Sequence, residues 1–381
     1  MKIEQTQWTH TTGWTPETPG KLAGAANLVL VFGSTERLKN AHQMAEIRNT
    51  YPNALISGCS TAGEIFDITV SDDSLSVTAI HFEHTRLQTT YARVSGPEDS
   101  FCCGKELAQA VPHEGLRHVF ILSDGLNVNG SELVAGLSEQ LPQGTTITGG
   151  LSGDADRFEE TLVLWKGQAQ SHIVTLIGLY GAELNIGFGS LGGWDSFGPE
   201  RLITRANGNV LYEMDGKSAL ELYKSYLGEH ANGLPATGLL FPLSLRSADS
   251  NTGLVRTILA VDEDEQSMTF AGDMPEGSYA RLMKANFNRL VDGAVAAAET
   301  SAQAIRGSTA ELAILISCVG RKMVLKQRTE EEVEGVREVF GPTPALTGFY
   351  SYGEISPFIP GAKCELHNQT MTITTFSETS N

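Results

Sequence analysis

The sequence predicts an α/β protein of two domains, built from repeated β-α-β-type units with mixed, largely parallel sheets. Three observations predict it. Apolar runs of strand length alternate with helix-like stretches, an order that requires crossover connections and parallel pairing. Two stretches far apart in the chain, GCSTAGEIFD at 58–67 and GFYSYGEISPF at 348–358, are near copies, with Gly58, Gly63, Glu64 and Ile65 in the places of Gly348, Gly353, Glu354 and Ile355. Finally, 381 residues with 41% apolar content can bury more than one core.

The first unit runs from LVLVFGS (28–34) through an amphipathic stretch with Leu38, Ala41 and Met44 to LISGCSTAGEI (55–65) and SLSVTAIHF (74–82). The second runs from HVFILSDG (118–125) through a helix near 130–141 to TITGGLSGD (146–154) and TLVLWKG (161–167). In the middle of the chain, RLITRANGNVLYEMDG reads as a hairpin about Asn207-Gly208 and KSALELYKSYLG as a helix. The domain boundary is placed just before that helix, at Asp215-Gly216, which separates 24–216 from 217–381. A long helix over about 279–306 carries Leu282, Phe287, Leu290, Ala294 and Ala297 at helical spacing, and its small residues permit close packing. The third unit runs from LAILISCVG (312–320) through a helix near 329–340 to LTGFYSYGEI (346–355) and TMTITTF (370–376). Its helix reads as bounded by a capping box, Thr329 with Glu332, and by Gly341-Pro342.

Twenty-seven basic residues against 45 acidic ones leave a net charge of −18, which repels phosphate backbones and anionic lipid. Nucleic acid and membrane surfaces are therefore not expected partners. The amino terminus lacks a basic start with an apolar run, and no stretch approaches the roughly 20 apolar residues of a membrane span, so a cytoplasmic protein is expected. Five scattered cysteines without a C-x-x-C suit reduced thiols.

Several enzymatic signatures fail on context. Gly187, Gly189 and Gly192 fit a dinucleotide fingerprint, but GWDSFGP follows where a helix must begin. Ser60 in GCSTA approximates a nucleophile elbow with Ala62 in place of the closing glycine, so a hydrolase using Ser60 stands only as an alternative. The carboxylate runs at Glu159-Glu160, Asp262 to Glu265 and Glu330 to Glu332 read as solvated faces. No catalytic set assembles, and a non-enzyme is expected.

What remains is recognition chemistry at strand ends. The candidate ligand-binding residues are Gly58, Ser60, Glu64, Gly320, Arg321, Tyr350, Tyr352, Glu354 and Asn368. Glycine loops let backbone N–H groups approach a ligand, Glu64 and Glu354 would receive an ammonium or amide donor, and Tyr350 and Tyr352 would supply flat walls with a polar tip. Arg321 would face a carboxylate bidentately. Each residue also has a plain structural reading: a glutamate satisfying its own turn, a tyrosine in the core, an arginine paired at the surface.

GCSTAGEI, the stretch GGWDSFGPERLITRANGNVLYEMDGKSALELYKSYLG, ISCVGRK, TGFYSYGEI and ELHNQTMTITT, in that order, resemble the FIST family of sensory proteins with its FIST N and FIST C domains, over about Ala23 to Phe376. The resemblance implies a bacterial signal-input protein for a small ligand, with amino acids one proposal. Stand-alone members of this size resemble the NosP group, which implies a haem-based nitric oxide sensor acting on a separate histidine kinase or on a diguanylate cyclase or phosphodiesterase. A homodimer stays open. The expected cofactor under that reading is haem b, with His367 in CELHNQTMT and His230 in YLGEHANGLP as candidate axial ligands.

Overall fold

In the strand Leu28–Gly33, Leu30 and Phe32 turn to one side and Val29 and Val31 to the other. Both sides are buried, the first against Phe120, Ile316 and Phe349 and the second against Met44 and Ile47 of the following helix, so an unbroken apolar run is what the strand needs. The same double burial recurs in Leu116–Ser123 and Leu312–Cys318. The computed structural model describes residues 1–246, 254–305, 308–358 and 361–378.

Strand register shows the three units to be copies of one plan. In the first, Val31 is paired in parallel with Gly58 and antiparallel with Val77, which is backed by Thr6 of the strand Lys2–Thr9. In the second, the corresponding residues are Ile121, Gly149, Leu176 and Thr90. In the third, they are Leu315, Gly348, Ile373 and Gly189. Each unit thus contributes one parallel pair, and the remaining pairings in its sheet are antiparallel. The α/β class with mixed sheets holds, while the parallel share is confined to these pairs. The reason is that only the helix-bearing connection is a crossover; the third strand returns beside the first without one.

The units are tied in a ring by exchanged strands. Beyond its glycine strand, each unit sends a short hairpin to the neighbouring sheet: Glu64–Phe66 pairs with Ala345–Ser351, Gly353–Pro357 with Thr146–Leu151, and Val163–Trp165 with Leu55–Ser60. The segment expected to close the second unit, 161–167, is this lent strand, and the closing strand is Ile173–Tyr180. Three sheets therefore surround a shared apolar centre in which Phe32 and Phe349 lie 4.7 Å apart, with helices outside.

A fourth, eight-stranded antiparallel sheet is inserted into the third unit between Leu184–Leu191 and the helix Phe287–Ala304. It contains the expected hairpin, Asp195–Asn207 with Val210–Met214, whose two-residue loop is Gly208-Asn209, one residue beyond the expected Asn207-Gly208, and packs on the helix Ala219–Leu227. Asp215-Gly216 lies in a turn within this sheet, and strands from both sides of it share two of the three core sheets. The long helix is shorter than the periodicity suggests. Leu282 belongs to the strand Tyr279–Lys284, and the Asn286 side chain caps the helix by accepting from Arg289 N. The expected close packing is present: Gly187 and Gly189 leave room for the Ser301 and Ala297 carbonyls of that helix, which is what this glycine pair does in place of binding a dinucleotide. No helix among the described residues is long and apolar enough to cross a membrane.

Candidate functional site

The corners that follow the three glycine strands meet. Ala62 N donates to Tyr350 O and Tyr350 N to Gly63 O, both at 2.8 Å, while Gly153 N donates to Ser60 O at 2.9 Å. Tyr352 OH donates to the Asp154 carboxylate and accepts from Asp154 N at 3.2 Å, and its ring stacks on Phe158 at 4.4 Å. The near copies at 58–67 and 348–358 are thus equivalent corners locked to one another, and the strand exchange is what brings them together.

Glu64 and Glu354 occupy the same place in the two copies and do the same work. Glu64 accepts from Thr61 Oγ1 at 2.5 Å and from the N–H and hydroxyl of Ser74 at 3.1 and 2.7 Å. Glu354 accepts from Ser351 Oγ at 2.7 Å and from the N–H and hydroxyl of Thr370 at 3.2 and 2.9 Å. Each carboxyl ties its corner to the residue that opens the returning strand, so the structural reading of these glutamates is the one realised. Burial pushes Glu64 up to about 7 and Glu354 to about 8 against the opposing pull of their hydroxyl donors. Both folded values lie above the ordinary carboxyl value of 4.5, so each acid's stabilising contribution is complete below that pH and is lost as pH rises through 7 to 8. Glu354→Gln is therefore expected to match the parent near pH 5 and to become the more stable form by up to about 4 kcal/mol at pH 9. Urea midpoints at pH 5, 7 and 9 read this directly, and a pH-independent difference would refute it.

Arg321 does face a carboxylate, but an internal one. Fully buried, it donates from Nε and Nη2 to Glu332 at 3.1 and 2.6 Å, and from its two terminal nitrogens to the Gly192 and Leu290 carbonyls. Tyr350 OH and Ser317 Oγ complete Glu332 at 2.6 and 3.0 Å. Three expectations are corrected here. Arg321 is saturated and not a ligand clamp, Tyr350 and Tyr352 are core groups and not pocket walls, and Glu332 is neither a solvated acid nor a capping-box partner. Its helix has Arg328 at the N-cap without a side-chain bond, because the carboxylate is drawn inward to a buried cation. Gly58 lies within its strand against the Val31 carbonyl, and Ser60 Oγ is buried and accepts from Leu162 N at 2.8 Å. Gly320 lies under the Gln369 amide, and Asn368 is buried with its Nδ2 directed at Tyr352 O.

Of the candidate ligand-binding residues, Glu64 lines a cleft of about 660 Å³ at the carboxyl ends of the strands, where the first corner meets the other two units. Lys322 crosses its floor, donating to Ala62 O at 2.8 Å and pairing with Asp72. Arg37 is held by Asp73 at 2.9 Å, and Arg157 donates to Thr35 Oγ1 at 2.8 Å. Two charges on the rim, the exposed Lys326 ammonium and Asp156 carboxylate, have no side-chain partner among the described residues. The cleft therefore offers both signs of charge. Sequence reasoning missed Asp72, Asp156, Lys322 and Lys326 because they belong to segments far apart in the chain, which only the ring brings to one cleft, and Lys322, although it closes the ISCVGRK motif, carries no signal of its own there.

An axial haem ligand needs an open imidazole nitrogen beside an apolar slot. His367 is 1% exposed, with Nε2 on the Ser356 carbonyl at 2.7 Å and its ring edge-on to Phe358 at 4.1 Å. His230 is exposed on a short 3-10 turn, its ring 5.3 Å from Phe241. Neither residue lines the cleft. The two histidines do not fit the cofactor: one is enclosed by side chains and the other lies exposed on a short turn.

Residues 27–217 match the FIST N domain and residues 219–357 the FIST C domain. An uncharacterized protein of Methanocaldococcus jannaschii is 23% identical over 211 residues, which are 51% of this chain and 39% of that protein. The chain thus spans about two fifths of the length of that curated relative. Among solved structures, a cyanuric acid hydrolase from A. caulinodans aligns over 100% of this chain and 99% of its own, at 9% identity and a TM-score of 0.36.

Proposed function

The chain belongs to the FIST family, a FIST N domain followed by a FIST C domain, and from that premise we propose that it senses a small zwitterionic metabolite, of the amino acid class, in the cleft between its units. FIST domains are small-ligand sensory domains of signal transduction. The observation that carries the finer reading is the pair of unmatched rim charges, Lys326 and Asp156, over a floor of already compensated ones. A carboxylate would seat at Lys326 and an ammonium at Asp156, while the Lys322–Asp72 and Arg37–Asp73 pairs keep the floor rigid.

Of the two histidines of the haem-based nitric oxide reading, His367 is enclosed in the core and His230 lies exposed on the surface, so the haem-free alternative is the one we carry. Catalysis by Ser60 is disfavoured because its hydroxyl is enclosed and engaged by the backbone. Output would pass to a separate signalling enzyme, and occupancy must favour one of two conformations, since a ligand without differential affinity shifts no population.

Thermal unfolding in the presence of each of the common amino acids tests the proposal. At least one is expected to raise the melting temperature saturably, and Lys326→Ala or Asp156→Asn to weaken that ligand about tenfold without altering the unliganded protein. No stabilisation by any amino acid, or binding indifferent to both variants, would overturn it.

A further inference from the structure

Strand register places Asn368 and Gln369 of the third unit where the first unit has Asp72 and Asp73, because Ile373 and Val77 are equivalent partners of Leu315 and Val31. The backbone agrees: Gln369 and Asp73 have φ of 64° and 52°, each just before the residue that holds the corner glutamate. In the first unit this corner borders the open cleft, and Lys322 and Arg37 neutralise the two aspartates. In the third unit the same corner is roofed. Gln369 Nε2 donates to Leu239 O of the inserted segment, Trp194 Nε1 donates to Gln369 O, and Arg256 Nη1 donates to Leu366 O, each at 2.9 Å.

Beneath that roof, hydrogen-bond donors are in short supply. Asn368 and Gln369 are fully buried. Their amide orientations are set by the carbonyls their nitrogens meet, Tyr352 O at 3.4 Å and Leu239 O at 2.9 Å, which leaves Asn368 Oδ1 and Gln369 Oε1 without a partner. His367 Nδ1 is a third unmet acceptor on the preceding residue, because Nε2 donates to Ser356 O. Arg321, equivalent by register to Arg37, is turned away to Glu332, and Gly320 contributes only the space in which the Gln369 amide rests. Buried acceptors in a native fold are ordinarily satisfied, and an enclosed set that lacks donors calls for a guest that brings them.

We propose that the third unit holds a second, enclosed ligand site at Asn368 and Gln369, roofed by the inserted sheet, for a small molecule presenting an ammonium or primary amide group. The guest donates to Asn368 Oδ1 and Gln369 Oε1. Because Gln369 is bonded to the roof through both its side chain and its carbonyl, occupancy is felt by the inserted sheet.

Glycinamide, which carries both donor groups and no carboxylate, is the probe, with potassium chloride at equal ionic strength as control. It is expected to raise the melting temperature saturably, with Asn368→Leu and Gln369→Met each weakening it about tenfold. No saturable shift, or a shift abolished by Lys326→Ala or Asp156→Asn alone, overturns the proposal. A crystal structure of the unsubstituted protein in glycinamide decides the matter should either core variant fail to fold. Probe density bridging the two oxygens supports the site, and an ordered water only at both oxygens overturns it. Since the probe has no carboxylate, the amino acid reading of the open cleft survives that failure.

Discussion

Gly348→Ala is expected to leave no folded protein. A Cβ at that position would lie 1.8 Å from the Leu315 carbonyl oxygen and 2.9 Å from its nitrogen, in the middle of the parallel pair. The strands cannot spread locally, because Gly348 is held on its other side by Ile65 of the exchanged hairpin. Both neighbours are backbone, so nothing flexible can yield, and the loss should exceed about 4 kcal/mol, at the severe end for a single substitution. Gly58 and Gly149 meet the Val31 and Ile121 carbonyls in the same way and are expected to behave alike. Gly24, where an added methyl would meet nothing within 4 Å, is the control and should tolerate alanine within about 0.5 kcal/mol. Soluble yield, circular dichroism and urea unfolding provide the readout. A Gly348→Ala protein that unfolds cooperatively near the parental midpoint would refute the close approach of the two strands.

Arg321→Ala should be the next most damaging change, at about 3–5 kcal/mol, because it strands the Glu332 carboxylate in the core and frees the Gly192 and Leu290 carbonyls. Arg321→Lys is expected to recover little, since one ammonium cannot serve a carboxylate and two carbonyls lying in different directions. The informative comparison is Arg321→Met with Glu332→Leu. Removing both charges together should cost less than Arg321→Met alone, which denaturant midpoints of the two singles and the double establish as a coupling energy. Additive effects would mean that the pair is not the internal ion pair described.

The strands and their glycine stops are legible in the sequence because their causes are local. A strand buried on both faces must be apolar throughout, and a strand position with no room for a Cβ must be glycine wherever the plan is repeated. The helix Thr329–Phe340 is legible for the same reason, through Val333 and Val336 on its buried face. The start of the helix Phe287–Ala304 is not, because Leu282 continues its apolar spacing by coincidence; cross-strand partners at Leu243 and Phe197 pull that residue into a sheet.

The candidate site is less legible. The motif residues Tyr350, Tyr352, Arg321 and Glu354 do cluster, but as the lock between units, with each polar group answered by another part of the chain. A residue type shows what a side chain can bond to, and only its neighbours show whether that capacity is already used. Lys326 and Asp156 look like ordinary surface charges until the ring places them on one rim.

The amino acid order alone determined the repeated strand-and-glycine plan and its family, since apolar period and steric exclusion act between residues near in sequence or paired along one strand. The tertiary structure alone decided which charges are spent internally and which are left for a ligand. That balance depends on the exchange of hairpins between units, which brings groups such as Lys322 and Asp72 into contact across 250 residues of chain.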